Sequence, residues 1–351
     1  MFILQRLTRF CITPESMLAH SMKIHIEPAF LRHRRRMIKS TKIHKKGFLN
    51  MIKFNFLKSL WLWLIVLIIF SFGIILYTIN KNKSNNILIL STIRPITLAL
   101  DNILDGIPNV EIKEISNNYM QNHVCFHDFS LTPGQALDIE RAKAIVINNI
   151  LFETFINNLI KDKKNINLFD SSKNIELLKS GERTNPYIWM SFTGYIKQIK
   201  NIAEFLKTIF SDKSEIINKN TENYIFKIEN KLNKYKNNFE KFKGKTVATF
   251  SDEFDYILLE LGLIPIHLFD IHVHEETISA KNMNAAIEKI KKNKFDFYLI
   301  SNQNKKHLDV INASSAREIK LSLITNSDDL YIDKMSENIE KLYEALLNAK
   351  Y

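Results

Sequence analysis

An α/β chain with two lobes of mostly parallel strands, one long helix between them and a transmembrane helix ahead of them is what this sequence predicts. Three observations carry that reading. Residues 60–79 run apolar for twenty positions without a charge. From residue 86 onward, short apolar or alternating runs recur between helical patterns, which is how parallel sheets flanked by helices read in sequence. A polar tract over roughly 222–242 keeps Tyr224, Ile225, Ile228, Leu232 and Phe239 near helical spacing and divides those runs into two groups.

The N-terminal region holds nearly all of the basic excess. The net charge is +12 over 351 residues, a length that supports two ordinary domains. Residues 1–50 carry 11 Lys+Arg against 2 Asp+Glu, and residues 51–86 carry 4 Lys and no acid. Residues 87–351 are left with 34 basic and 35 acidic side chains. A nearly neutral body lacks the footprint that phosphate backbones require, so no nucleic acid is expected as a partner.

The run 60–79 is long enough to cross a bilayer as a helix. It exceeds the roughly 7–15-residue core of a cleaved signal peptide, and no A-x-A-like site follows. No cysteine follows it for lipid attachment either. Lys53 and Lys58 precede the run with the basic cluster upstream, while only Lys81 and Lys83 follow closely. The positive-inside bias therefore predicts a signal anchor over 51–83, with the body outside the cytoplasm; export after cleavage is the rival. Met51 opens a Lys-then-apolar pattern, so translation is expected to begin there, with 1–50 a basic leader that is disordered or untranslated. The alternative is a basic tail lying on anionic lipid through Arg34, Arg35 and Arg36. Cys11 and Cys125 fall on opposite sides of the span, which predicts no intramolecular disulfide.

In the body, 86–91 is a buried-strand run, 96–103 is helical and Asp105-Gly106 ends it. Residues 110–115 alternate as a second strand. Thr132-Pro133-Gly134-Gln135 has the form of a capping box, with Thr as N-cap, Pro at the first helical position and Gln three residues on. Its helix should reach about Ala142. A strand at 144–148, a helix at 151–160 carrying Glu153 and a strand at 166–169 complete a first lobe. The second lobe has strand patterns at 246–250, 264–269, 295–300 and 319–324. Helices are expected at 254–261, 279–292 with Ser279 as cap, and 334–347. The tract between them would be a stiff connection. The expected domains are thus 84–219, a linking helix 220–243 and 244–351. With 8 Gly in all, neither a dinucleotide nor a Walker phosphate loop is present.

Two segments stand out: His127-Asp128-Phe129-Ser130-Leu131-Thr132-Pro133, and Asn185-Pro186-Tyr187-Ile188-Trp189. With Ala144 to Asn148, the Phe250-Ser251-Asp252-x-Phe254-x-Tyr256 stretch, Leu261-Gly262-Leu263, Ser279-Ala280-Lys281-Asn282 and Ser336-Glu337-Asn338, they resemble the ZnuA/TroA-like solute-binding proteins for zinc and manganese over about residues 88–348. That resemblance implies two Rossmann-like lobes joined by one long backbone helix, with a metal site in the cleft between them.

It also implies where ligands fall. The first family histidine corresponds to His127. The second falls on Tyr187, whose neutral phenol is a poor zinc ligand and suits a cleft-lining aromatic. The third falls on Ser251, beside Asp252, and the fourth, an Asp, near Thr325. A tight zinc site needs about four N, O or S donors at roughly 2.0–2.3 Å. Three readings stay open: a harder cation held by oxygen donors, with Asp252 or Asp128 moving in; a site rebuilt from His123, Cys125 and His127, which share one face of an extended segment; or a cleft that has lost its metal. A second group, His267, His272, His274, Glu275 and Glu276, could bind metal at the surface or be ordinary packed histidines.

The function implied is the solute-binding component of an ABC importer on the periplasmic side of a bacterial inner membrane. It would take zinc or manganese as the transported ion and an inner-membrane permease as partner, with its N-terminal helix in the membrane. The alternative is a degenerate relative acting as an accessory or adhesion-type module without tight metal binding. Acid–base catalysis by His127 and Asp128 would lack an activated nucleophile and a matched second group, so no enzyme is expected.

Overall fold

In the computed structural model the described residues are 61–75, 86–115, 131–153, 155–156, 167–180, 183–269, 279–301 and 314–349. The chain divides into two compact units, Met1–Lys81 and Asn82–Tyr351. In the first, residues 61–75 form helix α1 with every side chain exposed. Among the described residues no helix is long and apolar enough to cross a membrane. Residues 61–75 are helical, but the expected transmembrane span 60–79 is not supported among the described residues; positions 60 and 76–79, and the leader 1–50, lie outside them.

The second unit holds two four-stranded sheets, both wholly parallel. The first comprises β1 (Ile87–Ser91), β2 (Val110–Glu114), β3 (Ala144–Ile147) and β4 (Asn167–Asp170) in the order β2-β1-β3-β4. A short antiparallel hairpin follows, β5 (Lys179–Ser180) with β6 (Arg183–Thr184). The second sheet comprises β7 (Thr246–Thr249), β8 (Ile264–His267), β9 (Phe297–Ser301) and β10 (Arg317–Leu321) in the order β10-β9-β7-β8. Counted from its own first strand, each sheet has the same order. Each therefore reverses direction between its first and third strands, where the C-terminal strand ends leave a crevice.

Why these runs become strands is clear from their burial. Ala144, Ile145, Val146 and Ile147 are all fully buried, as a strand covered on both faces must be. In the second sheet the two faces separate by alternation. Val247, Phe297, Leu299 and Leu321 join the main core, while Ala248, Tyr298 and Ile300 pack with Ala286 and Ile290 in a second, smaller one.

Helix α2 (Arg94–Ile103) starts at the Arg-Pro pair rather than at 96, because Pro95 suits the first helical turn. Helix α3 (Pro133–Arg141) opens on the expected capping box: Thr132 Oγ1 accepts the Gln135 N–H while Gln135 Oε1 accepts the Thr132 N–H. Helix α4 (Phe192–Ile209) was not anticipated. Helix α5 (Ser214–Phe239) is the long connection, and it begins at Ser214 rather than at 222. Helices α6 (Asp255–Glu260), α7 (Ala280–Asn293) and α8 (Tyr331–Leu347) complete the second lobe. Of the helix expected at 151–160, residues 155–156 are helical and most of the rest lies outside the described residues.

The main core runs without a break from β1 and β3 through Tyr195, Ile199 and Ile202 of α4 and Ile228, Tyr235 and Phe239 of α5 to Met335, Ile339 and Leu342 of α8. The long helix therefore packs against both lobes instead of bridging them through solvent.

Candidate metal-binding cleft

The segment 185–193 is where the two lobes are stitched together. Asn185, fully buried, donates from Nδ2 to the Asp252 carbonyl at 2.8 Å. Its Oδ1 accepts the Tyr187 N–H at 2.9 Å, which fixes the turn through Pro186. Trp189, also fully buried, donates from Nε1 to the Leu323 carbonyl at 3.0 Å. Tyr331 at the start of α8 donates its hydroxyl to the Trp189 carbonyl at 2.9 Å. The Glu260 carboxylate accepts the Phe192 and Thr193 N–H groups, each at 2.8 Å, so a second-lobe anion caps the N-terminus of α4. Gly194 completes that cap by donating to Ser191 Oγ, and it has no space for a side chain, since a Cβ there would collide with the Ile188 carbonyl. From the first lobe, Asn148 just beyond β3 donates from Nδ2 to the Pro186 carbonyl at 3.0 Å.

These bonds place the sequence-predicted residues. Tyr187 lies between Asn185, bonded to Asp252, and Trp189, bonded two residues short of Thr325. Asn185 and Trp189 thereby tie the segment holding Tyr187 to the segments holding Asp252 and Leu323, which follow the C-terminal ends of β7 and β10. Tyr187 is half-buried with its ring 6.2 Å from Phe152 and 5.3 Å from Trp189. Ser251 is half-buried in extended backbone after β7, ahead of a short turn over Asp252–Phe254. Asp252 and Thr325 are buried. Thr325 sits four positions beyond β10 instead of at its exit, because the strand covers Arg317–Leu321 where 319–324 was expected.

His123, Cys125, His127 and Asp128 lie outside the described residues, as do His272, His274, Glu275 and Glu276. The described residues on either side of the stretch holding His127 are bonded to each other. Gln135, in the capping box that follows it, donates from Nε2 to the carbonyl of Ile115, the last described residue before it, at 2.6 Å. Both ends therefore meet at the C-terminal end of β2.

Chemically, the described part of the cleft offers oxygen donors alone: a phenol, two hydroxyls and one carboxylate. Among the described residues no three His, Cys, Asp or Glu side chains come together as a metal-binding group. Two cavities open. One of about 490 Å³, by the C-terminal end of β2, is lined by Arg94, Lys113, Glu114 and Ser327, and one of about 400 Å³ lies at the foot of the second sheet, by Lys245 and Lys294.

Of the second histidine group, His267 alone lies among the described residues, and it is paired with a carboxylate. Its Nε2 lies 2.8 Å from Asp255 Oδ1 at the start of α6. That hydrogen bond, reinforced by the charges of Asp255 and Asp252, raises its pKa above the ordinary imidazole value against the opposing effects of burial and Lys289. Sequence reasoning also missed the role of Glu260 and the depth of Glu153. A signal for α4 did exist in Ser191 as N-cap with Phe192, Tyr195, Ile196, Ile199, Ile202, Ala203 and Leu206 at helical spacing.

Comparison with known proteins fits this geometry. The model of the ZnuA family, zinc-uptake complex component A, periplasmic, matches residues 89–345. The zinc-binding lipoprotein AdcA of Streptococcus pneumoniae is 25% identical over 168 residues, which is 45% of this chain and 33% of AdcA. The manganese ABC transporter substrate-binding lipoprotein PsaA of the same species is 22% identical over 174 residues, 47% of this chain and 56% of PsaA. The matched region thus spans a third to just over half of these curated relatives. Among solved structures, FpvC of Pseudomonas aeruginosa in complex with Mn2+ superposes with a TM-score of 0.67 at 17% identity, over 76% of this chain and 100% of FpvC. A periplasmic metal binding protein of Candidatus Liberibacter asiaticus gives 0.65 at 20% identity, over 74% of this chain and all of that one. With the family model covering most of its length and the two-lobed parallel architecture in place, the chain belongs to the ZnuA family of periplasmic zinc-uptake components.

Proposed function

We propose that the chain is the extracytoplasmic solute-binding component of an ABC importer for a divalent transition metal, zinc or manganese. The ion would enter the cleft between the lobes, take one imidazole from His127, and complete its shell with oxygen donors from Tyr187, Ser251, Asp252 and Thr325. No bond chemistry is involved. The apolar N-terminal run would hold the body at the outer face of the inner membrane, beside the permease that receives the ion. The observation that carries the reading is that the Tyr187 segment is hydrogen-bonded to the Asp252 and Leu323 segments, which follow the C-terminal ends of β7 and β10. That is where open parallel sheets place their ligands.

A second reading has its own support. Hydroxyls stand where the family has imidazoles, at Tyr187 and Ser251, and where it has an aspartate, near Thr325, and neutral hydroxyls bind zinc poorly. On that reading the chain is a membrane-anchored accessory or adhesion-type module without tight metal binding. Titration of the metal-free protein with zinc and with manganese against a competing chelator separates the two. The transport reading expects one ion per chain, with affinity falling at least about 100-fold in His127→Ala. The absence of saturable binding for both ions would remove the transport reading and leave the accessory module.

A further inference from the structure

Glu153 has no role in the reading above, and its surroundings are unusual for a carboxylate. It is fully buried in the turn that follows β3. Its Oε2 accepts the Asn149 N–H at 2.8 Å, and the Asn148 N–H also acts on the carboxylate. Its Oε1 has no partner. Beside it, at the end of β1, Thr92 presents an Oγ1 that is equally buried and equally unpartnered. That hydroxyl is near enough to act on the carboxylate but falls short of hydrogen-bond geometry. Gln198 of α4, in the same buried network, spends Nε2 on Asn148 Oδ1 and Ser171 Oγ at 2.9 Å each and keeps an unpartnered Oε1.

No positive charge balances this group among the described residues. The charged side chain that acts on it is Asp170 of β4, a second carboxylate, already engaged by the Ile150 N–H and by Ser172. Thr92, Asn148, Asn149 and Gln198 are neutral. A buried carboxylate with a bare oxygen and a like-charged neighbour is among the costliest arrangements in a protein interior. A carboxylic acid in the same place removes the charge and supplies the donor that a group of bare oxygens lacks. Burial, the largest influence on it, pushes the Glu153 pKa up to about 8.

We infer that Glu153 is a positioning residue that sits in the fold as an uncharged acid, with its proton on Oε1 on the side of Thr92 while Oε2 receives the amides of the turn. It thereby fixes the turn that sets Asn148 against Pro186 and the Phe152 ring against Tyr187. Its bearing on the ion rests on the function proposed above; its protonation does not. Between the ordinary glutamate value of 4.5 and about 8, the folded chain holds a proton that the unfolded chain has released. Stability must therefore fall as pH rises through that window and level off above it.

The test uses the full chain, free of metal. Unfolding midpoints are measured from pH 5 to pH 9 for the wild type, Glu153→Gln and Glu153→Ala, with hydrogen exchange of the 148–153 amides. Glu153→Gln keeps one donor and one acceptor without the ability to ionise. It should match the wild type at pH 5, lack the wild type's decline, and exceed its midpoint at pH 9. Exchange of the turn amides should accelerate at least tenfold beyond base catalysis above pH 8 in the wild type alone. Glu153→Ala should be destabilised at every pH. An identical decline in the wild type and Glu153→Gln overturns the inference, as does a Glu153→Gln variant as unstable as Glu153→Ala at pH 5. If neither variant folds, isotope-edited infrared spectroscopy of the wild type at pH 6 decides, since absence of a glutamic-acid carbonyl band sinks it. Failure of metal binding would remove the function proposed above without touching any of these outcomes.

Discussion

At the C-terminal edge of the first sheet, Asn148, Asn149, Ser171, Gln198 and Glu153 are buried and bonded to one another without a single cation. At the matching edge of the second sheet, charges do the work. His267 meets Asp255 with its side chain 27% exposed, and half-buried Glu260 reaches across to cap α4. One strand order thus supports two chemistries. The first edge is dry, and its groups are expensive to unpair because nothing replaces a lost partner. The second edge is partly wet, and water softens the loss of any one contact.

The largest effect should come from unpairing the dry edge. Gln198→Leu removes the amide that donates to Asn148 and Ser171, and a leucine of similar size leaves both buried groups short of a partner. Denaturant unfolding should show a loss of about 2–4 kcal/mol. A loss below about 1 kcal/mol would erase the contrast between the edges. Next comes the inter-lobe cap. Glu260→Ala leaves two N–H groups at the start of α4 without their carboxylate. It should cost about 1–2 kcal/mol in the same assay.

The smallest effect belongs to the wet edge and depends on pH. The His267 pKa is raised in the folded chain from the ordinary 6.5. The stabilisation is thus fully present below 6.5 and disappears as pH climbs through the raised value. His267→Ala should cost about 0.5–1 kcal/mol at pH 5.5 and converge on the wild type by pH 9. A pH-independent deficit would mean that His267 contributes packing rather than charge.

Much of this architecture was legible because it is local. The runs at β1, β3 and β7, the Thr132–Gln135 capping box and the Ser279 cap are written in adjacent residues and appear within a residue or two of expectation. Where boundaries moved, tertiary pairing decided. Arg317 and Glu318 are polar, yet they pair in register with Phe297 and Tyr298, which draws β10 two residues upstream of the apolar run. Helix α5 starts early because Ile217 and Thr221 find buried places that the Asn-rich sequence around them does not advertise.

For the candidate site, what was legible was a resemblance, whose motif order points to Tyr187, Ser251, Asp252 and Thr325. That Asn185 and Trp189 bond to Asp252 and Leu323 is a matter of side chains meeting main chain 67 and 134 positions away. No local pattern encodes such contacts. His267 groups with His272 and His274 along the chain, both outside the described residues, while its bond to Asp255 on another element is one that no local pattern announces.

The unbroken apolar interior shared by both sheets and the long connecting helix carries one consequence further. Residues from either half, such as Ile89, Ile228 and Ile339, are each almost completely sequestered within a single cluster. Similar as the two sheets are in plan, they lean on one apolar interior, so a cavity cut into either half is expected to weaken both.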